Sequence, residues 1–201
     1  GYLSPDLRQH SCAYFLEPLL AAHDRAAFEL FAYAEVRRPD AVTARLRALC
    51  DHWRYTVGLS DRALVEQVRA DGIDLLVDLA GHSADNRLTA LLARPAPVQI
   101  TWLGYPGTTG LSALDFRLTD ARCDPPGEAD AFHSEALLRL DDGLHCYVGP
   151  DEAPAVSALP CPSAGQVTFG SFNQLAKMNE CVVAACQEGY YDSDKTVKNG
   201  C

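Results

Sequence analysis

The sequence predicts an α/β fold, a Rossmann-like parallel sheet with helices on both faces. Up to about residue 120, the pattern alternates between the twofold period of strands and the 3.6-residue period of helices, as is typical of βαβ units. The segment 73–79 is largely apolar, as expected of a central strand that is covered on both faces. Of the 201 residues, 48% are apolar and 22% are charged, which favours a packed core.

Seven strands and four helices are predicted in chain order. The strands are expected at 1–4, 28–34, 53–57, 73–79, 98–103, 116–119 and 136–140. The helices are expected at 10–22, 40–52, 60–70 and 85–93. Ser60 is a typical N-cap. The last helix should end at Arg94-Pro95, because the residue before a proline disfavours helical backbone.

Helical spacing also predicts which side chains of these helices point inward. The first helix is expected to bury Tyr14, Phe15, Pro18, Leu19 and Ala22, the second Val42, Leu46, Leu49 and Cys50, and the third Ala63, Leu64 and Val68. Between Cys123 and Ala164 the chain becomes rich in Pro, Gly and Asp. That stretch is expected to cross the surface, with one short strand within it.

The composition changes after Lys177. All three lysines lie at 177, 195 and 198, whereas all 14 arginines precede residue 177, and three of the eight cysteines fall at 181, 186 and 201. The segment 181–201 also lacks an amphipathic pattern, which predicts a disordered or non-native tail. An ordinary divergent terminus is the alternative.

Charge, hydropathy and cysteine spacing exclude several classes of protein. A net charge of −10 without a Lys/Arg cluster argues against a nucleic-acid partner. The sequence contains neither an apolar stretch of membrane-spanning length nor a signal peptide, so we expect a cytoplasmic protein with no membrane partner. Eight cysteines without a C-x-x-C pair indicate free, buried thiols. No G-x-G-x-x-G motif follows a strand, which removes the best support for an NAD site.

Two segments rich in polar residues or glycine follow predicted strands. The segment 102–110 contains three glycines and a proline, which allow the backbone to turn sharply near a ligand. The segment 172–177 contains Asn173, Gln174 and Lys177, whose side chains can bind sugar hydroxyls and phosphate oxygens. Ligands of open α/β sheets bind where strands end. The two segments therefore predict a nucleotide-sugar site, with Lys177, Arg8 and helix N-termini as its positive groups.

Five segments in series resemble the catalytic region of the O-linked N-acetylglucosamine transferases, especially bacterial members with tetratricopeptide repeats. They are 1–6 with His10, 71–82, 94–99, 102–110 and 169–177, and the resemblance covers about residues 1–179. It implies the N-terminal lobe of a GT-B glycosyltransferase at 1–160, the start of the nucleotide-binding lobe at 161–180, and tetratricopeptide repeats upstream. The implied reaction transfers GlcNAc from UDP-GlcNAc to Ser or Thr hydroxyls of a protein, with inversion and without a metal or another cofactor.

The resemblance also implies roles for individual residues. Asp6 and His10 match residues of the active centre, where a carboxylate or imidazole would help to remove the acceptor proton. Asp6 as a carboxylate that complements a helix dipole is the alternative. The family usually has Thr or Val where this chain has Cys12.

Further matches concern the donor. The residues predicted to line the sugar pocket are Leu103, Gly104, Pro106, Gly107 and Thr108. Asn173, Gln174 and Lys177 are predicted to bind the donor, with Lys177 also catalytic because its ammonium would stabilise the departing diphosphate. His82 could be a further polar group of the site or a loop histidine bonded to backbone. Asp74 and Asp78 are expected to satisfy local backbone.

Two alternatives remain open at this point. Similar catalytic regions also serve protein O-fucosyltransferases, which use GDP-fucose as the donor. A non-catalytic protein-binding module is the other alternative. Because the match includes little of the second lobe, we expect the isolated 201-residue chain to be inactive.

Overall fold

The computed structural model describes residues 1–149 and residue 155, and the described residues form a seven-stranded parallel sheet. The strands are β1 Tyr2–Ser4, β2 Phe31–Ala34, β3 His52–Tyr55, β4 Leu75–Asp78, β5 Val98–Thr101, β6 Phe116–Thr119 and β7 Ala136–Arg139. Their order across the sheet is β3-β2-β1-β4-β5-β6-β7, and every neighbouring pair is parallel. This confirms the predicted Rossmann-like α/β fold.

The direction in which the chain crosses the sheet reverses between β1 and β4. From β1 the chain proceeds to β2 and β3 on one side, and then returns to place β4 on the other side of β1. In open α/β sheets such a reversal opens a crevice beyond the carboxyl ends of the two strands. The turns that follow β1 and β4 are therefore the expected borders of a ligand site.

Four helices connect these strands in the described residues. They are α1 Ala13–Ala22, α2 Ala41–Ala48, α3 Asp61–Ala70 and α4 Leu88–Leu91, and a short 3₁₀ helix spans Asp130–Phe132. Asp40 and Thr43 form a capping box at the start of α2. Ser60 caps α3 by accepting a hydrogen bond of 3.2 Å from the backbone N–H of Ala63, as predicted.

An apolar core lies on each face of the sheet. One includes Leu16, Leu20, Leu46, Leu79 and Trp102, and joins α1 and α2 to the sheet. The other includes Tyr33, Leu64, Val68, Leu76 and Leu91, and joins α3 and α4 to the opposite face. Burial on both faces is what the parallel arrangement requires.

The predicted inward face of the first helix is wrong. The helix begins at Ala13, and its buried residues are Ala13, Leu16 and Leu20. Tyr14 is 56% exposed, Ala22 is exposed, and Phe15, Pro18 and Leu19 are only half-buried. The spacing of Ala13, Leu16 and Leu20 also fits a helical face. The two leucines pack in the core, so that α1 contributes no buried aromatic side chain. Phe15 instead packs against His145, with 4.5 Å between ring centroids.

Several predicted elements are too long. The helix expected at 40–52 ends at Ala48, because the backbone N–H groups of Asp51 and His52 already donate to Leu30 as β3 begins. The helix expected at 85–93 is reduced to Leu88–Leu91, because Asp85 has a positive φ of 57°. The strands expected at 1–4, 28–34, 53–57, 73–79, 98–103 and 136–140 are each shorter or shifted by a few residues.

Other local predictions have mixed outcomes. Leu64 and Val68 are buried as predicted, but Val65 is buried in place of Ala63.

The four cysteines that the structure describes are free. Cys12 is buried as expected, whereas Cys123 is exposed. Among the described residues, no helix combines the length and the apolar composition needed to cross a membrane. The predicted divisions at 160/161 and 180/181 lie outside the described residues.

Two adjacent leucines of β4 provide a test of the second core. Leu76 is 1% exposed and Leu75 is 45% exposed, since they point to opposite faces of the strand. We expect Leu76→Ala to lower the free energy of unfolding by about 2 to 5 kcal/mol, because it leaves a cavity. Leu75→Ala, as the matched control, should lower it by less than about 1 kcal/mol. Equal losses in urea denaturation would contradict this packing.

Candidate functional site

The turns at the carboxyl edge of the sheet carry most of the predicted site residues. Asp6, Arg8 and His10 lie in the turn between β1 and α1, and the segment 102–110 follows β5. Between them, the segment 80–85 follows β4. Because all seven strands are parallel, these turns share one edge.

A cavity of about 530 Å³ opens beside the turn that follows β1. Its walls are Pro5, Asp6, Arg8, Gln9, His10, Glu35, Arg37, Arg38, Asp40, Ser83, Ala84 and Asp85. They come from the turns that follow β1, β2 and β4, which is where the strand order reverses. The volume is within the range of small-molecule sites.

Asp6 and His10 lie together in the wall of this cavity. The Asp6 side chain is mostly buried, and 3.7 Å separates its Oδ2 from Nδ1 of His10. The other oxygen, Oδ1, accepts a hydrogen bond of 3.3 Å from Nη2 of Arg8. The Asp6 backbone N–H donates to Ser4 Oγ at 2.9 Å, which fixes the turn directly after β1. Asp6, His10 and Arg8 therefore place a carboxylate, an imidazole and a guanidinium in the wall of one cavity.

Cys12 lies two residues after His10 and is buried. Its backbone N–H donates to His10 Nδ1 at 3.3 Å, so Nδ1 carries a lone pair in this arrangement. Burial, followed by the nearby Asp6 carboxylate, raises the pKa of the Cys12 thiol to about 11. The thiol is therefore protonated at neutral pH.

The cavity is lined by both acidic and basic side chains. Arg37 forms an ion pair with Asp85, with 3.2 Å between Nη2 and Oδ1. Glu35 is buried and accepts hydrogen bonds of 2.8 Å from Arg87 Nη1 and from Thr56 Oγ1. Arg8 is 44% exposed at its side chain and faces the opening. Arg8, which was predicted as a positive group for an anionic ligand, thus lines the cavity.

The glycine-rich segment 102–110 is held in a strained turn. Leu103 has a positive φ of 75°, and the backbone N–H of Gly104 donates to the Trp102 carbonyl at 3.0 Å. Together these describe a γ-turn of the rare, strained kind. A Cβ at position 104 would overlap the carbonyl oxygen of Leu79, at the end of β4. Only glycine allows the segment to lie this close to the neighbouring strand.

Two buried charged residues that the sequence did not single out hold this segment in place. Arg117, in β6, donates from Nη1 to the carbonyls of Tyr105 at 2.9 Å and Gly107 at 3.1 Å. Glu135 accepts from Thr108 Oγ1 at 2.7 Å and from the Thr109 backbone N–H at 2.8 Å. Arg117 could have been identified from the sequence, because it is a charged residue inside the predicted strand 116–119. No feature of the sequence near position 135 indicates the role of Glu135.

These contacts shift the acidity of Glu135. Burial alone would raise its pKa, but the hydrogen bonds from Thr109 and Thr108 outweigh burial and lower the pKa below its usual value. Glu135 is therefore an ionised acceptor that organises the far end of the segment 102–110.

The segment 80–85 connects the cavity to the segment 102–110. His82 bonds through Nε2 to the Thr109 carbonyl at 2.8 Å, and its ring meets the Tyr105 ring edge-on with centroids 5.2 Å apart. This is the backbone-bonded histidine that was one of the two alternatives. Asp78 accepts from the backbone N–H groups of Ala80 and Gly81 at 3.2 and 2.8 Å, as expected for a local structural role. Burial raises the pKa of its carboxyl group.

The predicted site residues thus form two groups on either side of the segment 80–85. Asp6 and His10 line the cavity, whereas the predicted sugar-pocket residues do not line it. Pro106 is exposed, and the Thr108 hydroxyl is already bonded to Glu135. The predicted donor-binding residues Asn173, Gln174 and Lys177 lie outside the described residues. A substrate contact from any of these positions stays a prediction.

Gly104→Ala tests the close approach between the segment 102–110 and β4. We expect it to lower the free energy of unfolding by about 3 kcal/mol, because the new methyl group meets backbone that cannot move aside. Gly107→Ala is the matched control, since its Cβ would meet only the Tyr105 ring, at 3.2 Å, and should cost less than about 1 kcal/mol. Urea denaturation of both variants measures the difference, and similar costs would refute the contact.

Glu135→Gln tests the ionised acceptor. At pH 7 the substitution should lower the free energy of unfolding by about 1 to 3 kcal/mol, because charge-assisted hydrogen bonds are lost. The folded-state pKa of Glu135 is depressed, so its contribution is present above the ordinary value of 4.5 and lost as the pH falls through the folded-state value. The difference between wild type and variant should therefore shrink below pH 4.5.

Urea titrations from neutral to acidic pH measure that difference. Glu66→Gln is the control, because Glu66 pairs with Arg62 on the exposed face of α3. It should change stability much less at every pH. A difference for Glu135→Gln that is the same at pH 7 and at acidic pH would contradict the role of the charge.

The chain is similar to several known proteins. The model of glycosyl transferase family 41 matches residues 1–150. A protein of Petunia hybrida called a probable UDP-N-acetylglucosamine–peptide N-acetylglucosaminyltransferase SPINDLY is 43% identical over 187 residues, which cover 91% of this chain and 20% of the relative. The Arabidopsis thaliana protein SEC, with the same enzyme description, is 28% identical over 196 residues. That match covers 91% of this chain and 20% of the SEC protein.

A solved structure is also similar. A mutant of the O-GlcNAc transferase of Thermobaculum terrenum superposes with a TM-score of 0.75 at 46% sequence identity, and the match covers 78% of this chain and 30% of that one. The chain spans about a fifth of the length of the curated relatives it matches. Since the family model covers most of the sequence and the Petunia relative is similar over nearly all of it, the chain belongs to glycosyl transferase family 41.

Proposed function

We propose that this chain is part of a protein O-GlcNAc transferase, which moves GlcNAc from UDP-GlcNAc to Ser or Thr hydroxyls of proteins with inversion. The observation that carries the proposal is the pair Asp6 and His10 in the wall of the cavity where the strand order reverses. Family membership supports the reaction class, and the enzyme names of the relatives support the donor.

The pair supplies the proton acceptor that the reaction requires. The acceptor oxygen forms a bond to the anomeric carbon while the bond from that carbon to the UDP oxygen breaks, and the hydroxyl proton must leave. The lone pair of His10 or the Asp6 carboxylate takes up this proton, directly or through one water. In this mechanism the acceptor hydroxyl donates its proton to Oδ2 or to Nδ1, which lie 3.7 Å apart, and that contact forms when the substrate binds.

The donor needs positive and hydrogen-bonding groups for its diphosphate. Lys177, with Asn173 and Gln174, is proposed to bind it and to stabilise the charge that develops on the departing UDP. Arg8 at the cavity mouth adds a second cation. No metal ion is required in this proposal.

The segment 102–110 is proposed to hold the sugar. Leu103, Gly104, Pro106, Gly107 and Thr108 offer backbone groups in a turn that Arg117 and Glu135 keep rigid. A preorganised turn does not have to be ordered when the donor binds, so more of the binding energy remains for the reaction.

Several wider features belong to the same proposal. The complete protein is proposed to be bacterial and cytoplasmic, to carry tetratricopeptide repeats upstream that capture the protein acceptor, and to have no nucleic-acid or membrane partner. The net charge of −10 supports the absence of nucleic acid. The match to the Thermobaculum terrenum enzyme supports a bacterial origin.

A chimera tests the reaction. Residues 1–149 replace the matching segment of the Thermobaculum terrenum O-GlcNAc transferase, and transfer to a peptide is measured with UDP-GlcNAc or with GDP-fucose as the donor. We expect transfer from UDP-GlcNAc, and expect Asp6→Asn or His10→Ala to lower turnover at least about 100-fold, the usual share of acid–base catalysis.

Arg62→Ala is the matched control, because Arg62 lies on the exposed face of α3 and should leave turnover unchanged. The isolated 201-residue chain, which we expect to be inactive, sets the baseline. Transfer from GDP-fucose alone would replace the proposed donor. A folded chimera that uses neither donor would favour the protein-binding alternative.

A further inference from the structure

The turn between β1 and α1 brings three different metal-ligating side chains together. One ligand atom from each of Asp6, His10 and Cys12 lies within 4.8 Å of the other two. The three residues occupy seven consecutive positions, so one short turn supplies an oxygen, a nitrogen and a sulfur donor. This is the donor set of tetrahedral zinc sites.

The spacing of the donors is close to that of a bound zinc ion. Bond lengths of about 2.0 to 2.3 Å in a tetrahedron place neighbouring ligand atoms about 3.3 to 3.6 Å apart. Asp6 Oδ2 and His10 Nδ1 are 3.7 Å apart, which is too far for a hydrogen bond and close to this value. The Cys12 sulfur lies within 4.8 Å of one ligand atom of each of the other two residues, so a shift of about 1 Å brings it to this spacing.

The donor atoms are available to a cation. Oδ1 of Asp6 is engaged by Arg8, which leaves Oδ2 facing His10. His10 Nδ1 carries its lone pair toward the backbone N–H of Cys12 across a long contact of 3.3 Å, which a metal bond would replace. The Cys12 thiol is free. Each residue therefore has one donor atom to offer, and the Cys12 thiol, which is protonated at neutral pH, releases its proton to solvent as the zinc–sulfur bond forms.

The cavity provides the route of entry and the fourth position. Asp6 and His10 line it, and the His10 side chain is 36% exposed there. Cys12 is buried and does not line the cavity. A water molecule or a substrate oxygen from the cavity completes the tetrahedron, as in zinc sites with three protein ligands.

We propose that Asp6, His10 and Cys12 form a binding site for Zn²⁺, with an open fourth position toward the cavity. The mixed oxygen, nitrogen and sulfur donor set favours zinc over magnesium or calcium, which bind through oxygen. If the proposed function holds, bound zinc occupies the lone pairs of Asp6 and His10 and blocks proton removal. Zinc is then a reversible inhibitor, while the reaction itself stays independent of metal.

Zinc binding by the reduced 201-residue chain is measured by competition with a chromophoric chelator. We expect Cys12→Ser to weaken binding at least tenfold, since even the groups that support a ligand are worth about 10- to 100-fold. The matched control keeps Cys12 and replaces the other seven cysteines by serine, and it should retain the wild-type affinity. The replaced residues are Cys50, Cys123, Cys146, Cys161, Cys181, Cys186 and Cys201.

Cobalt substitution gives a second measurement that does not depend on the folding of the Cys12 variant. In the control that keeps only Cys12, Co²⁺ should produce the charge-transfer band of a cobalt–thiolate bond, and excess Zn²⁺ should remove it. No band in that control, or equal zinc affinity in wild type and a folded Cys12→Ser variant, would overturn the site.

The chimera separates this inference from the proposed function. Added Zn²⁺ should inhibit transfer and EDTA should restore it, with inhibition weakened in the Cys12→Ser chimera. Zinc binding without transfer by the chimera would count against the proposed function and leave the site in place. Zinc binding without inhibition of an active chimera would overturn the inhibitory role alone.

Discussion

The common direction of the seven strands is the constraint from which the site follows. Parallel strands place every turn from a strand to the next element on one edge, and the reversal of order between β1 and β4 opens a crevice at that edge. Asp6, His10 and the segment 80–85 border this crevice because they directly follow those two strands. The parallel pairing of β1 with β4 brings these two turns together.

Within that frame, a second layer of buried polar groups sets the shape of the turns. Asp78 binds the backbone of its own turn, and His82 bonds to the turn that follows β5. The same turn is also bonded by Arg117, which lies in β6, and by Glu135, which immediately precedes β7. Hydrogen bonds compensate Asp78, Glu135 and Nη1 of Arg117, whereas Nε of Arg117 lies 3.6 Å from Asp124 Oδ2. The segment 102–110 is thus shaped by residues that precede it and follow it in the chain.

The sequence predicted the parts of this arrangement that depend on local pattern. Apolar runs such as 73–79 identified the strands, and Ser60 identified the start of α3. Asp6 and His10 were assigned to the site because they follow a strand and because their motif resembles a family. Residues that act through distant partners were missed, since Glu135 binds a residue 26 positions away and nothing near it in the chain shows this.

The prediction of the first helix was wrong for a related reason. Two faces of the segment 13–22 have helical spacing, and only the shape of the core decides that Leu16 and Leu20 point inward and Tyr14 outward. The segment 85–93 likewise has a helical pattern, but the left-handed backbone of Asp85 shortens the helix.

The close approach of Gly104 to Leu79 has a mechanical consequence. Since the turn after β5 lies directly against the end of β4 at Gly104, it cannot move toward β4 at that point. Gly81 and His82 contact the same turn through Tyr105 and Thr109. A ligand that pushes Gly104 toward β4 must therefore also displace the end of β4, which couples the glycine-rich segment to the crevice.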